Sequence, residues 1–163
     1  MIAEYRSPSG DILIGTRGGS LVLCDFVNRK GDIQKSIEKT RPDTSRADEN
    51  YVEEVKRQLS EYFEGRRREF DLSLTLSGNQ LEKNVYKALL TVGYGCTATY
   101  SDIAALAGRP RAVRAVASCI GRNPMAIIVP CHRIIGSDGK LHGYAGGVDV
   151  KRELLTLEGS LSC

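Results

Sequence analysis

Phe70-Asp71-Leu72-Ser73-Leu74-Thr75-Leu76-Ser77-Gly78-Asn79 is where the chain changes character. Up to Leu76 apolar and polar residues alternate, the period of a half-buried strand; beyond Asn79 apolar residues recur every three or four positions, the period of helices. On the N-terminal side, Ile12-Leu13-Ile14-Gly15 and Leu21-Val22-Leu23-Cys24-Asp25-Phe26, separated by Arg17-Gly18-Gly19, read as a β-hairpin that the Phe70 to Leu76 strand joins. Tyr51, Val52, Val55, Leu59, Tyr62 and Phe63 make an amphipathic helix stopped by Gly65, while Arg29 to Asn50 is charged and reads as a loop with room for a helical piece. On the C-terminal side, Leu81, Val85, Leu89 and Val92 form one stripe, ended by Gly93-Tyr94-Gly95. Ser101 is expected to cap a short helix with Ile103 and Leu106 inward, and Gly108-Arg109-Pro110 to turn the chain into a third helix, Arg111 to Ile120. A last helix carries Val150, Leu154 and Leu157 and stops at Gly159. The expected fold class is α+β: a small N-terminal antiparallel β-sheet with a helix over residues 1–76, then an all-helical domain over residues 77–163 containing a helix-turn-helix.

Composition narrows the functions open to such a chain. With 163 residues, 41% of them hydrophobic and 26% charged, the sequence is that of a folded globular protein, neither disordered nor fibrous. No apolar run approaches the roughly 20 residues of a membrane span, and the N-terminus lacks a basic region followed by an apolar stretch, so a cytoplasmic protein without a membrane partner is expected. Five cysteines, Cys24, Cys96, Cys119, Cys131 and Cys163, are an odd number without close pairing, which points to a reducing compartment and at least one free thiol. The two histidines, His132 and His142, and the absence of C-x-x-C or H-x-x-x-H spacing give a metal little to bind, so no metal or cofactor is expected. The net charge of +3 divides unevenly: 13 basic residues face 14 acidic ones up to Leu76, and 10 face 6 beyond it. The basic half is where a nucleic acid would dock.

Within that half, one helix looks like a reader of DNA. At 100° per residue, Arg111, Arg114 and Ser118 fall on one face of the third helix and Val113, Val116 and Ile120 on the other. Ala112 and Ala115 flank the arginine face and carry no bulk, so the backbone can approach a groove closely. Further on, Ala126-Ile127-Ile128-Val129-Pro130-Cys131-His132-Arg133-Ile134-Ile135 places a Cys-His pair directly after an apolar run and a proline. An unperturbed thiol is only a few per cent thiolate at neutral pH, and a histidine that accepts its proton makes it a nucleophile. Adjacent side chains diverge, so the pair needs a bridging water, and a carboxylate to orient the imidazole would complete a relay. Glu158 is a candidate that spacing alone does not select.

Pro130-Cys131-His132-Arg133-Ile134, preceded by Asn123-Pro124 and Arg111-Ala112-Val113-Arg114-Ala115-Val116, resembles the active-site region of the O6-alkylguanine-DNA alkyltransferases. Tyr100-Ser101-Asp102-Ile103-Ala104, Gly143-Tyr144-Ala145-Gly146-Gly147 and Leu157-Glu158-Gly159 extend the resemblance. Ser7-Pro8-Ser9-Gly10 and Tyr62-Phe63-Glu64-Gly65 carry it into the N-terminal half. The resemblance implies a helix-turn-helix in the minor groove of double-stranded DNA, a flipped O6-methylguanine, with O4-methylthymine as a second substrate, and irreversible, stoichiometric transfer of the alkyl group to Cys131. It implies that His132 takes the thiol proton through a water, Glu158 orients His132, and Asn123 holds the turn before the nucleophile. Tyr100 would rotate the target phosphate and protonate the leaving guanine, and Arg114 would fill the gap in the stack. Tyr144, Ala145, Lys151 and Ile134 would surround the base and its alkyl group. Ser101, Arg111, Ala112, Ala115 and Ser137 would join Arg114 and Tyr100 on the DNA. No obligatory protein partner is implied. The sequence departs from the family at Leu81 and Tyr86, where Phe and Trp are usual, and at Cys96, Ala126 and Ala145.

Other readings make different demands. A non-catalytic relative that binds and flags alkylated DNA carries tryptophan at the nucleophile, and Cys131 argues against it. A cysteine hydrolase would need an oxyanion site and leaves the arginine helix unexplained. An alkylation-sensing regulator would add a cysteine-bearing sensor domain, whereas the first 76 residues contain only Cys24.

Overall fold

The computed structural model describes residues 1–28, 33–44 and 46–160. It opens with three antiparallel strands in the order β1 (Ile2–Ser7), β2 (Gly10–Arg17) and β3 (Ser20–Phe26). The β2–β3 hairpin is the expected one, with Gly18 and Gly19 at positive φ in its two-residue turn. β1 is an addition: it lies at the sheet edge with its residues alternately exposed and half-buried, so its sequence carries almost no apolar signal. Helix α1 (Ile33–Thr40) lies against β3 and occupies part of the stretch read as a loop, of which residues 29–32 and 45 lie outside the described residues. Helix α2 (Glu49–Phe63) follows as expected. Gly65 ends it at φ 75°, where a side chain would be strained, and its N–H donates to the Tyr62 carbonyl at 3.0 Å.

The Phe70 to Leu76 strand does not form as such. The segment runs beside β3 but makes a single parallel bridge, Leu74 to Leu21, through Leu21 N to Ser73 O at 2.8 Å and Thr75 N to Leu21 O at 2.9 Å. The reason is competition for one edge. Farther along β3, Cys24 N donates to Pro124 O at 2.9 Å, so the segment leading to Cys131 takes the remainder of that edge. All residues from Leu21 to Phe26 are buried as a result.

The C-terminal half begins with α3 (Gln80–Leu90), started by a capping box in which Glu82 N donates to Asn79 Oδ1 and Asn79 N to Glu82 Oε2, both at 2.9 Å. Helix α4 (Tyr100–Leu106) is capped by Thr99, whose hydroxyl accepts from Asp102 N at 3.1 Å; Ser101, expected to be the cap, is exposed in the first turn. Leu106, expected inward, is 62% exposed. Ile103, Ala104 and Ala107 set the inward direction, and at 100° per residue Leu106 stands roughly 110° away from it. The reader helix α5 (Val113–Gly121) starts two residues later than expected, because Arg111 and Ala112 belong to the turn. Gly108 at φ 76° lets the chain reverse between α4 and α5. The half is not all-helical: β4 (Ala98–Thr99) and β5 (Ile134–Ile135), which directly follows Cys131-His132-Arg133, form a two-residue parallel ladder. Helix α6 (Val148–Leu157) closes the fold. One hydrophobic core runs through both halves, from Ile12 and Leu21 through Leu59 and Val85 to Met125 and Leu154. Among the described residues no helix is long and apolar enough to cross a membrane.

Candidate active site

Cys131 begins a single 3-10 turn, Cys131–Arg133, whose three residues are all buried. The approach to it is tightly folded. Asn123, at the end of α5, accepts from Met125 N at 3.0 Å and donates through Nδ2 to the Val129 carbonyl at 2.8 Å and to Cys131 Sγ at 3.1 Å. Between those anchors Ile128 N donates to the Ala126 carbonyl at 2.8 Å, a three-residue turn that puts Ile127 at φ 71°. A β-branched residue there carries strain of order 1–3 kcal/mol, tolerated because its surroundings over-determine it.

His132 is fully buried, and its Nε2 lies 2.7 Å from Glu158 Oε1. Glu158, which caps the C-terminus of α6, also accepts from Tyr62 Oη at 2.7 Å and from Arg133 through Nη2 and Nε, each at 2.9 Å. Burial alone would raise its carboxyl, but the hydrogen bonds from His132 and Arg133 hold it at about 2. An ionised carboxylate only accepts, so the neutral imidazole carries its proton on Nε2 and leaves Nδ1 as the acceptor. His132 Nδ1 has no hydrogen-bond partner among the described residues. Burial pushes the imidazole below its usual value against the pull of Glu158, which keeps it neutral and able to take a proton at pH 7.

On the other side of Cys131 lies a small, partly open cavity of about 20 Å³, lined by Asn123, Ala126, Tyr144, Ala145 and Asp25 of β3 among others. That is room for about one water. The Tyr144 ring is buried edge-on to Phe26, and its hydroxyl has no partner among the described residues. Outside the cavity, Tyr100, Ser101, Val113, Arg114 and Ser137 line a wide open groove. Lys151 is buried, donating to the His142 carbonyl at 3.2 Å, with its ammonium 6.0 Å from the Tyr100 ring centre. Burial lowers it to about 8, and a Cys131 thiolate would pull it back up.

The residues read from the sequence thus fall into three groups. Cys131, Asn123, Tyr144 and Ala145 meet at the cavity; His132 and Glu158 pair in the interior; Tyr100, Ser101, Arg114 and Ser137 share the groove. Ala115 is exposed on α5, Arg111 is exposed and Ala112 half-buried in the turn before it, and Ile134 is buried in the β4–β5 ladder beside Ala98. Sequence reasoning missed Arg133 and Tyr62. Arg133 also donates to the Val92 carbonyl at 2.6 Å, and all its guanidinium nitrogens are engaged. Among the described residues no cluster of three His, Cys, Asp or Glu could hold a metal ion.

Comparison with known proteins identifies the family. Residues 80–160 match the DNA binding domain of the 6-O-methylguanine DNA methyltransferases, and residues 2–76 match the ribonuclease-like domain of the same family. A methylated-DNA–protein-cysteine methyltransferase of Methanosarcina acetivorans is 45% identical, over 97% of both chains. The Mycobacterium tuberculosis OGT solved in complex with DNA superposes with a TM-score of 0.80 at 41% identity, covering 96% of this chain and 91% of that one. A further crystal structure, of the O6-methylguanine methyltransferase from Mycobacterium tuberculosis, also gives 0.80, at 41% identity over 97% and 92% of the two chains. With both halves matched and near-complete coverage, the chain belongs to the 6-O-methylguanine DNA methyltransferase family.

Proposed function

We propose that this chain repairs DNA by taking the alkyl group of O6-alkylguanine onto Cys131, once per molecule. The observation that carries the reading is the buried relay: an ionised Glu158 fixes the His132 tautomer, and Asn123 holds the Cys131 sulfur beside a small cavity that adjoins an arginine-bearing groove. The thiol S–H bond breaks and its proton passes through a water to His132 Nδ1. The sulfur then bonds to the alkyl carbon as the C–O6 bond breaks, and the departing electron pair is taken into the guanine. Tyr100 supplies the proton that neutralises the leaving base, and the imidazolium restores it through solvent. Burial first, and then a Cys131 thiolate, raise the Tyr100 hydroxyl, so it stays protonated until the negative charge leaves the sulfur. The thioether has no route to hydrolysis, so turnover stops at one.

A base inside a duplex is out of reach of Cys131, and flipping costs a few kcal/mol, less for a poorly paired damaged base. In this reading the α4–α5 unit enters the minor groove and Arg114, exposed on α5, fills the vacated stack, with Ser101, Arg111, Ala112, Ala115 and Ser137 along the backbone. Tyr144, Ala145, Lys151 and Ile134 surround the base. A cavity of about 20 Å³ is far too small for a purine, so the Gly143–Gly147 segment moves outward when the base enters. Residues 1–76 and 77–163 act as two domains, and the protein works in the cytoplasm, where its thiol stays reduced.

The test is the intact mass of the protein after incubation with a duplex carrying one O6-methylguanine. A gain of one methyl, never more, located by fragmentation on Cys131, is expected; release of guanine beyond one equivalent, or no gain despite binding, would overturn the reading. Arg114→Ala is expected to slow transfer from duplex DNA about 10- to 100-fold, through loss of the flipped population, while the rate with free O6-benzylguanine stays within about twofold. Equal slowing with the free base would place the arginine elsewhere in the mechanism.

A further inference from the structure

The relay is completed from the N-terminal half of the chain. Tyr62, near the end of α2, is fully buried and separated from Glu158 by 96 positions in sequence, yet its hydroxyl donates to Glu158 Oε1 at 2.7 Å. The same oxygen accepts from His132 Nε2 at 2.7 Å and from Arg133 Nη2 at 2.9 Å. A carboxylate oxygen offers two lone pairs, so three donors on Oε1 share them and each weakens the hold on the others. The second oxygen accepts from Arg133 Nε, so the crowding falls on the oxygen that His132 uses.

We propose that Tyr62 is a positioning residue of the relay: by competing with His132 for Glu158 Oε1, it limits how strongly the imidazole is drawn to the carboxylate and so sets how readily Nδ1 accepts the Cys131 thiol proton. This rests on the reading of Cys131 as alkyl acceptor. When the proton reaches Nδ1, its bonding pair stays on the sulfur and the positive charge spreads over the imidazole. The charged groups around that ring are Glu158, Arg133 from the same turn and Lys151 from α6; Glu158 itself meets the neutral Tyr62 hydroxyl, the neutral His132 ring and the charged Arg133 guanidinium. Two cations oppose the imidazolium, and the one anion that favours it is already engaged by Tyr62 and Arg133. The resting relay is thereby held on the side of thiol and neutral imidazole.

The test follows the two histidines of the full chain by NMR titration, with exposed His142 as internal reference. Tyr62→Phe keeps the ring and removes the donor, and is expected to move the His132 titration up by about half a unit to one unit while His142 stays in place. Placing 3-fluorotyrosine at position 62, a stronger donor of the same shape, is expected to move His132 the other way, and supplies the test if Tyr62→Phe does not fold. Val55→Ala, a core change on the same helix, controls for loosened packing and should leave His132 unmoved. An unshifted His132 in the Tyr62 variants, or an equal shift in Val55→Ala, would overturn the inference. The titration involves neither DNA nor transfer, so a protein that gains a methyl without the shift refutes the role of Tyr62 alone.

Discussion

Glu158→Gln is expected to lose about 3–5 kcal/mol of folding stability and to slow alkyl transfer about 10²- to 10⁴-fold. The stability loss comes from Arg133. Its guanidinium is buried with both Nε and Nη2 on the carboxylate, and a neutral amide leaves that charge without a counter-ion. The loss in rate comes from the tautomer. An amide nitrogen turned towards His132 Nε2 makes that atom an acceptor, moves the ring proton to Nδ1 and removes the base that the Cys131 thiol needs. The same substitution changes the response to acid. Glu158 is held at about 2 against an ordinary 4.5, so the stabilisation it gives is complete above about pH 4.5 and fades as the pH falls towards 2. The wild type should weaken across that window by roughly 3 kcal/mol more than the Glu158→Gln variant. Urea denaturation at several pH values and single-turnover kinetics measure both effects. A variant within about 1 kcal/mol and threefold of wild type would mean that Glu158 is neither anchor nor orienter.

The second large effect is expected at Asn123. Asn123→Ala removes the acceptor for Met125 N and the donor for the Val129 carbonyl and Cys131 Sγ, all inside the protein. Met125 N is left unpaired inside the protein and the Val129 carbonyl keeps only Cys131 N as donor, so stability is expected to fall by about 1–3 kcal/mol. Freed of its wrapping, Ile127 can relax from φ 71°, and the sulfur then loses its fixed place beside the cavity. Transfer should slow about 10- to 100-fold although His132 and Glu158 are untouched. Hydrogen exchange should rise at residues 124–131 and stay unchanged at α2. Uniformly faster exchange would point to global loosening instead.

The parts of this architecture that were legible in the sequence are those whose signal is local. The β2–β3 hairpin, α2, α3 and α6 each carry a complete apolar period and a stop residue. The Phe70 to Leu76 alternation correctly marks a half-buried segment lying by the sheet. It cannot show that the β3 edge is divided with Pro124, because a strand's partners are not encoded in its own period. Leu106 misleads for a related reason: on a seven-residue helix the inward face is chosen by Ile103 and the two alanines, and the largest apolar side chain loses. At the site, the Cys131-His132 pair stands out in the sequence and Glu158 enters with the family resemblance, whereas Tyr62 reads as one more core position of an amphipathic helix. Arg133 is harder still, since arginines usually face water. Its place inside the run from Ile128 to Ile135 is the one available hint.

The narrow space beside Cys131 bears on how long an unused molecule keeps. A thiol meant to react once is spent by any stray alkylating electrophile that reaches it first, and is lost to peroxide once oxidation passes the sulfenic acid. Cys131 is 7% exposed, and beside it there is room for about one water. Dissolved oxidants therefore have little room to meet the sulfur, while in the proposed mechanism a base swung out of a duplex parts the Gly143–Gly147 segment. Shelf life and readiness are separated by the same few side chains, and a cell can hold such a protein in reserve until a lesion calls on it.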